Sequence, residues 1–212
     1  MDKNKIKGIE VGSRLHDDWR SNRKLEDGTY NPRWKVTKDE GYEPIEGKSK
    51  VNEQGELEVD IANLSFNELP KDWQKENLEA GLAVTPIVGD RTELSNEEME
   101  EASKKVHEEW SNRRMRVITD YMNELAEKGM SEEEIKTQTN EKFSWDLNLM
   151  VDYEELSEEE KQKDRDQVVQ ALKLNKEIDK GEIKLEDLAK KYDKEAKSIE
   201  WYIKKRLYTN IF

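Results

Sequence analysis

Two octets in this chain could do chemistry. "HDDWRSNR" begins at His16, "HEEWSNRR" begins at His107, and they hold the only two histidines of the 212 residues. If each octet is helical, positions 0, 3 and 7 lie along one stripe, so His16, Trp19 and Arg23 face one way and His107, Trp110 and Arg114 do the same. Arg20 joins the first stripe, Ser111 takes its place in the second, and Arg113 adds a further guanidinium there. Each copy therefore sets an indole between an imidazole and a guanidinium. Indole stacks on a planar base and guanidinium forks onto phosphate oxygens, which suits a planar, anionic, nucleotide-like ligand. The plainer alternative is that Trp19 and Trp110 are core aromatics, that the arginines pair with abundant acids, and that the histidines donate to backbone carbonyls. A metal is not expected, because neighbouring helical residues such as His16 and Asp17 point apart and no second histidine is within reach.

The elements that carry the octets can be read outward from them. Val11, Leu15 and Trp19 mark one helix from about residue 9 to 24. Residues 28–61 are rich in turn signals, with one short β-ribbon at most, in which "ELEVDI" alternates as a strand does. Pro70 opens a helix that runs through Leu82 with Gly81 near its end, and "TPIVGD" is the expected linker between domains. "SNEE" at Ser95 is a capping box, and it starts a long helix through His107, Trp110 and Tyr121 to about Lys128. "SEEE" at Ser131 and at Ser157 starts two more. Gly181 precedes two short helices, about 185–192 and 195–208.

The repetition extends beyond the octets. "FNELPKDWQKENL" follows the first and "YEELSEEEKQKDR" the second, both reading aromatic, x, x, Leu and then a polar helix. From histidine to that aromatic is fifty residues in one copy, His16 to Phe66, and forty-six in the other, His107 to Tyr153. Recurring landmarks in one order indicate a tandem duplication.

His-x-x-Trp with a following Arg, then an aromatic, "EEL", "SEEEKQKDR" and a polar helix, resembles the repeat found in ryanodine receptors and in stand-alone bacterial and phage proteins. The resemblance covers roughly residues 8–90 and 95–178. It implies a mainly α, pseudo-symmetric pair of repeats with short β-ribbon segments. We therefore expect a first repeat over residues 1–90, a second over 91–178, and a C-terminal helical hairpin over 179–212 that packs on the second repeat. The resemblance also implies that Trp19 and Trp110 flank an adenine-nucleotide, cyclic-nucleotide or ADP-ribose-type ligand, with His16, His107, Arg23 and Arg114 lining the same cleft. A phage-encoded protein that sequesters a signalling nucleotide would fit. Two departures touch the loops: the family's "DGWxYG"-like text is missing after the second octet, and "EDGTYNPRW" keeps only its Gly and aromatic after the first.

Composition bounds the remaining possibilities. A hydrophobic content of 33% is thin for one large core and easier to divide between two. A net charge of −13 repels nucleic acid and anionic membrane over most of the surface. The absence of cysteine excludes disulfides and thiolate metal sites, and the N-terminus lacks the apolar run of a signal peptide, so a cytoplasmic location is expected. There is no Gly-rich phosphate loop, no Gly-x-Ser-x-Gly and no His-Glu-x-x-His, and with 50 Asp and Glu residues no carboxylate pair can be singled out. We expect a non-catalytic protein without a cofactor, whose partner is the small molecule; a homo-oligomer is a further option. Two other readings are kept. Leu185, Leu188, Ala189, Tyr192, Ile199, Tyr202 and Ile203, ending in Lys204, Lys205 and Arg206, have helix-turn-helix spacing, but acids occupy the start of the second helix where a DNA reader needs base-reading groups. A protein-interaction module would use Trp34, Trp73, Trp145 and Trp201 as anchors.

Overall fold

A computed structural model describes residues 2–192. The protein is mainly helical with one small sheet, as expected. Two units form. One takes the chain as far as Glu93 and again from Val169; the other is Leu94–Val168.

In the first unit, α1 spans Lys3–Ser21, beginning two turns before the apolar pattern because the Asp2 carboxylate accepts from the Asn4 amide and caps it. The turn-rich segment holds three strands rather than one ribbon: β1 (Trp34–Val36), β2 (Ser49–Val51) and β3 (Leu57–Asp60), antiparallel in the order β1-β3-β2. The "ELEVDI" strand is the central one. Its last residue, buried Asp60, accepts from the amides of Arg33 and Ala62 and from the Asn63 side chain, which fixes the exit from the sheet. A 3-10 turn, Phe66–Glu68, leads into α2 (Lys71–Val88).

α2 corrects the expectation that Gly81 lies near a helix end and that "TPIVGD" is a linker. The helix continues through Pro86 to Val88 and stops at Gly89, whose φ of 65° is left-handed. Val84, Thr85 and Val88 are buried, and the Thr85 hydroxyl donates to the Gly81 carbonyl at 2.7 Å. Gly81 serves the crossing of α1 with α2 instead. A Cβ there would sit 2.1 Å from the Gly8 carbonyl oxygen and 2.6 Å from the Gly12 nitrogen, and one on Gly12 would sit 2.5 Å from the Asn77 oxygen. The two backbones touch. Ile6, Ile9, Val11, Val59, Leu64, Phe66, Leu78 and Val84 fill the core around that crossing.

The second unit begins with α3 (Asn96–Glu127), whose Ser95 and Glu98 form the expected capping box. After Gly129, at φ 78°, a second such box at Ser131 and Glu134 starts α4 (Glu132–Leu149), which kinks at Phe143. A second 3-10 turn, Tyr153–Glu155, precedes α5 (Glu158–Asp179). Ala102, Val106, Ile118, Leu125, Ile135, Phe143, Tyr153, Leu156 and Val168 are its buried apolar residues.

The boundary between units falls within α5 rather than at residue 178, and the described part of the tail groups with the first unit. α6 (Leu185–Lys191) packs on α1. Buried Glu10 of α1 accepts from the Tyr192 hydroxyl at 2.6 Å, from Lys191 at 3.0 Å and from Arg14 at 2.8 Å, and Arg14 also donates to Glu177 at 2.7 Å. Four charges neutralise one another pairwise there, so a carboxylate can be buried. The second helix of the expected hairpin, with Trp201 and Lys204 to Arg206, lies outside the described residues. No described helix is long and apolar enough to cross a membrane.

Candidate functional site

Each octet folds into the same small construction. In the first unit His16, 3% exposed, approaches the Leu64 carbonyl with Nε2 at 2.9 Å. In the second, His107, 5% exposed, approaches the Val151 carbonyl with Nε2 at 2.9 Å. A carbonyl can only accept, so Nε2 carries the hydrogen in both. Both carbonyls lie two residues before the aromatic of a 3-10 turn, Phe66 or Tyr153. Each imidazole then stacks on the tryptophan one turn on: His16 on Trp19 with centroids 5.8 Å apart and planes 25° off parallel, His107 on Trp110 at 5.7 Å and 24°. The sequence spacing between octet and aromatic thus records a physical tie.

Burial and the carbonyl bond assign both histidines to the core side of their helices, as the plainer alternative has it. Their electrostatics differ. Burial, opposed by the Leu64 bond, lowers the pKa of His16, and nearby Arg20 lowers it further. His107 is raised, first by hydrogen bonding to Asp164, whose Oδ2 lies 3.5 Å from Nδ1, and this outweighs its own burial. Burial also raises the carboxyl of Asp164, while His107 opposes that rise. In the register of "FNELPKDWQKEN" on "YEELSEEEKQKD", the residue matching Asp164 is Asn77, an amide that cannot charge.

The tryptophans are half-buried, each with a different neighbour. The Arg23 guanidinium lies over the Trp19 ring, 5.1 Å from its centroid. Arg20 donates to the Ala62 carbonyl at 2.9 Å and lies 4.5 Å over Tyr30, so it braces the loop behind the octet. In the second unit Trp110 meets Trp145 edge to face at 6.3 Å. Arg114 forks onto buried Asp146 at 2.7 and 2.9 Å, and Arg113 donates to the Glu109 carbonyl at 3.3 Å. Arg114 is thus engaged within the fold, as the plainer alternative has it. Asp164 and the next residue, Arg165, tie α5 to α3, the arginine forking onto Glu100 at 2.7 and 3.0 Å.

Trp145, one of the four tryptophans offered as interface anchors, is 61% exposed. Trp34 and Trp73 are half-buried; the Trp73 indole donates to the Val36 carbonyl at 3.1 Å. On α4 the buried Ile135, Thr139, Phe143 and Asp146 recur at spacings of four and three, and Trp145 falls off that stripe, which is the signal that could have found it. Among the described residues no group of three His, Asp or Glu is placed to hold a metal ion. Comparison with protein-family models, with curated proteins and with solved structures finds no match.

Proposed function

We propose that this protein binds a planar, anionic small molecule of the nucleotide type without transforming it, using half-exposed indoles as stacking surfaces. The observation that carries the reading is the twice-built stack of a core-anchored imidazole on a tryptophan. In the first unit that tryptophan has a guanidinium over its ring, and in the second it has another indole at its edge. A guanidinium over one indole and an exposed indole beside another supply a cation for a phosphate and a stacking surface for a base, stacking being worth about 1–3 kcal/mol per base. The resemblance to ryanodine-receptor repeats supports the same choice, and holding without conversion is what a sequestering protein does.

The test is a thermal-shift panel of ATP, ADP-ribose and cyclic mono- and oligonucleotides. A ligand at a hundred times its Kd stabilises by about 2.7 kcal/mol, which for a chain of this size raises Tm by roughly 5–10 °C. Trp145→Ala and Arg23→Ala change exposed or half-exposed groups and should leave the unliganded melt nearly unchanged while reducing the shift. A panel that produces no shift at millimolar ligand rejects the reading. One observation favours a second function, docking of a protein partner: an indole as exposed as Trp145 beside Trp110 is the kind of anchor that dominates interfaces.

A further inference from the structure

The two octets differ in the charge held against the indole. In the first unit the Arg23 guanidinium lies over Trp19, and the residue matching Asp164 in sequence is the uncharged Asn77. Neither titrates near neutral pH. In the second unit Arg114 forks onto Asp146, and the ring stacked on Trp110, 5.7 Å away, is an imidazole whose Nδ1 faces the Asp164 carboxylate of α5 at 3.5 Å. Because Nε2 already carries a hydrogen for the Val151 carbonyl, the ring can serve both acceptors only as the imidazolium. Protonated, His107 and Asp164 together carry no net charge. Deprotonated, they leave one negative charge behind the indole.

The other groups around this pair keep their charge while it titrates. On α3 the neighbour is Glu108, a carboxylate that acts on His107 through space. On α5, Glu160 and Lys163 act on Asp164 with opposite signs. From the 3-10 turn, the Tyr153 ring lies 6.2 Å from the imidazole, and its hydroxyl, pushed up to about 12 by burial, stays protonated and donates to Glu100. With the Trp110–Trp145 surface read as the seat of a nucleotide-type anion, we propose that binding there is proton-linked through His107: the anion is held more weakly once this imidazole has given up its proton. A ligand stacked on the far side of the indole lies roughly 9 Å from the pair, where one added negative charge weakens an anion's binding roughly three- to tenfold. By reciprocity the bound anion holds the proton on His107 more tightly. Trp19, with its permanent guanidinium, is the pH-independent counterpart.

Calorimetric titration of the full chain with cyclic AMP and with ADP-ribose, whose phosphates have no second ionisation, tests this from about pH 5.5 to about pH 8.5. Affinity at the site that Trp145→Ala removes should fall roughly three- to tenfold across that range. Near the His107 midpoint the binding heat should vary with the ionisation enthalpy of the buffer, the sign of proton uptake. Asp164→Asn, which copies the first unit, should bind at the alkaline end as tightly as the unaltered chain does at the acid end. In a proton NMR titration, saturating ligand should move the His107 midpoint upward and leave that of His16 in place. Failure of both ligands to bind at any pH rejects the nucleotide reading and the linkage with it. Binding of constant affinity, a pH dependence that Asp164→Asn leaves intact, or a His107 midpoint indifferent to bound ligand overturns the linkage alone.

Discussion

His107 and Asp164 face each other across 3.5 Å, on the imidazole nitrogen opposite the one that donates to the Val151 carbonyl. With one nitrogen committed to a carbonyl, the other can satisfy a carboxylate only by carrying a proton too. The tie between α3 and α5 is therefore strongest when the imidazole is charged, whereas the tie at His16 is made by a neutral ring.

The two histidines should titrate apart, His107 above the ordinary value of 6.5 and His16 below it. A raised folded pKa means that the His107 contribution is complete below 6.5 and is lost as pH rises through its folded value. The lowered value at His16 gives the opposite sign, a contribution present above 6.5 and lost as pH falls through its folded value. The two imidazole C2–H resonances in a proton NMR titration read both directly. Asp164→Asn should lower the His107 midpoint while leaving that of His16 in place, and coincident midpoints in the unaltered chain would refute the assignment.

Gly81→Ala should be among the most damaging single changes available. Its Cβ would fall within 2.1 Å of a backbone oxygen, which no rotamer change can relieve, so α1 and α2 must separate. We expect a loss of about 3 kcal/mol or more, seen as a collapse of the thermal midpoint. Gly55→Ala is the comparison: at φ 81° with open space around it, it is strained locally but meets no neighbour, and should cost about 1 kcal/mol.

Tyr192→Phe removes the shortest of the bonds that reach Glu10 from α6 and leaves the ring's packing in place. A hydrogen bond to a charged group is worth about 1.5–3 kcal/mol. Hydrogen exchange of the α6 amides should accelerate while those of α4 keep their protection. Equal acceleration in both helices would show that Glu10 does not act as a local latch.

Arg114→Met should harm the second unit more than Asp146→Leu/Arg114→Met together. The single change leaves a buried carboxylate without its fork, a penalty of about 3–5 kcal/mol, while the double change removes both charges from the interior. Denaturant midpoints of the two variants decide the order.

Much of this architecture is written locally. The capping boxes at Ser95 and Ser131 mark their helices because a hydroxyl and a glutamate three residues on satisfy orphan amides whatever the rest of the chain does. The repeated distance from octet to aromatic was visible before its cause, the bond from imidazole to carbonyl. What escaped detection depends on remote partners. Gly81 looks like a terminator until α1 is laid across it. Lys3, Asn4 and Lys5 begin a helix with no apolar residue to announce it. β1 and β2 are three residues each and too short to show a period. The seat of α6 depends on Glu10, 182 residues away from Tyr192. The stripe of His16, Trp19 and Arg23 is legible, but a spacing of three does not say which of its edges faces inward, so the sequence leaves open both a buried and a cleft-lining imidazole.

The anchoring of each imidazole to a main-chain oxygen bears on whatever meets the tryptophans. An indole held flat against a ring that is itself fixed in the interior has little rotational freedom left to surrender. Whether the visitor is a small molecule or another polypeptide, the ordering penalty on this side of the encounter has largely been met by folding, and more of each contact would be kept as affinity.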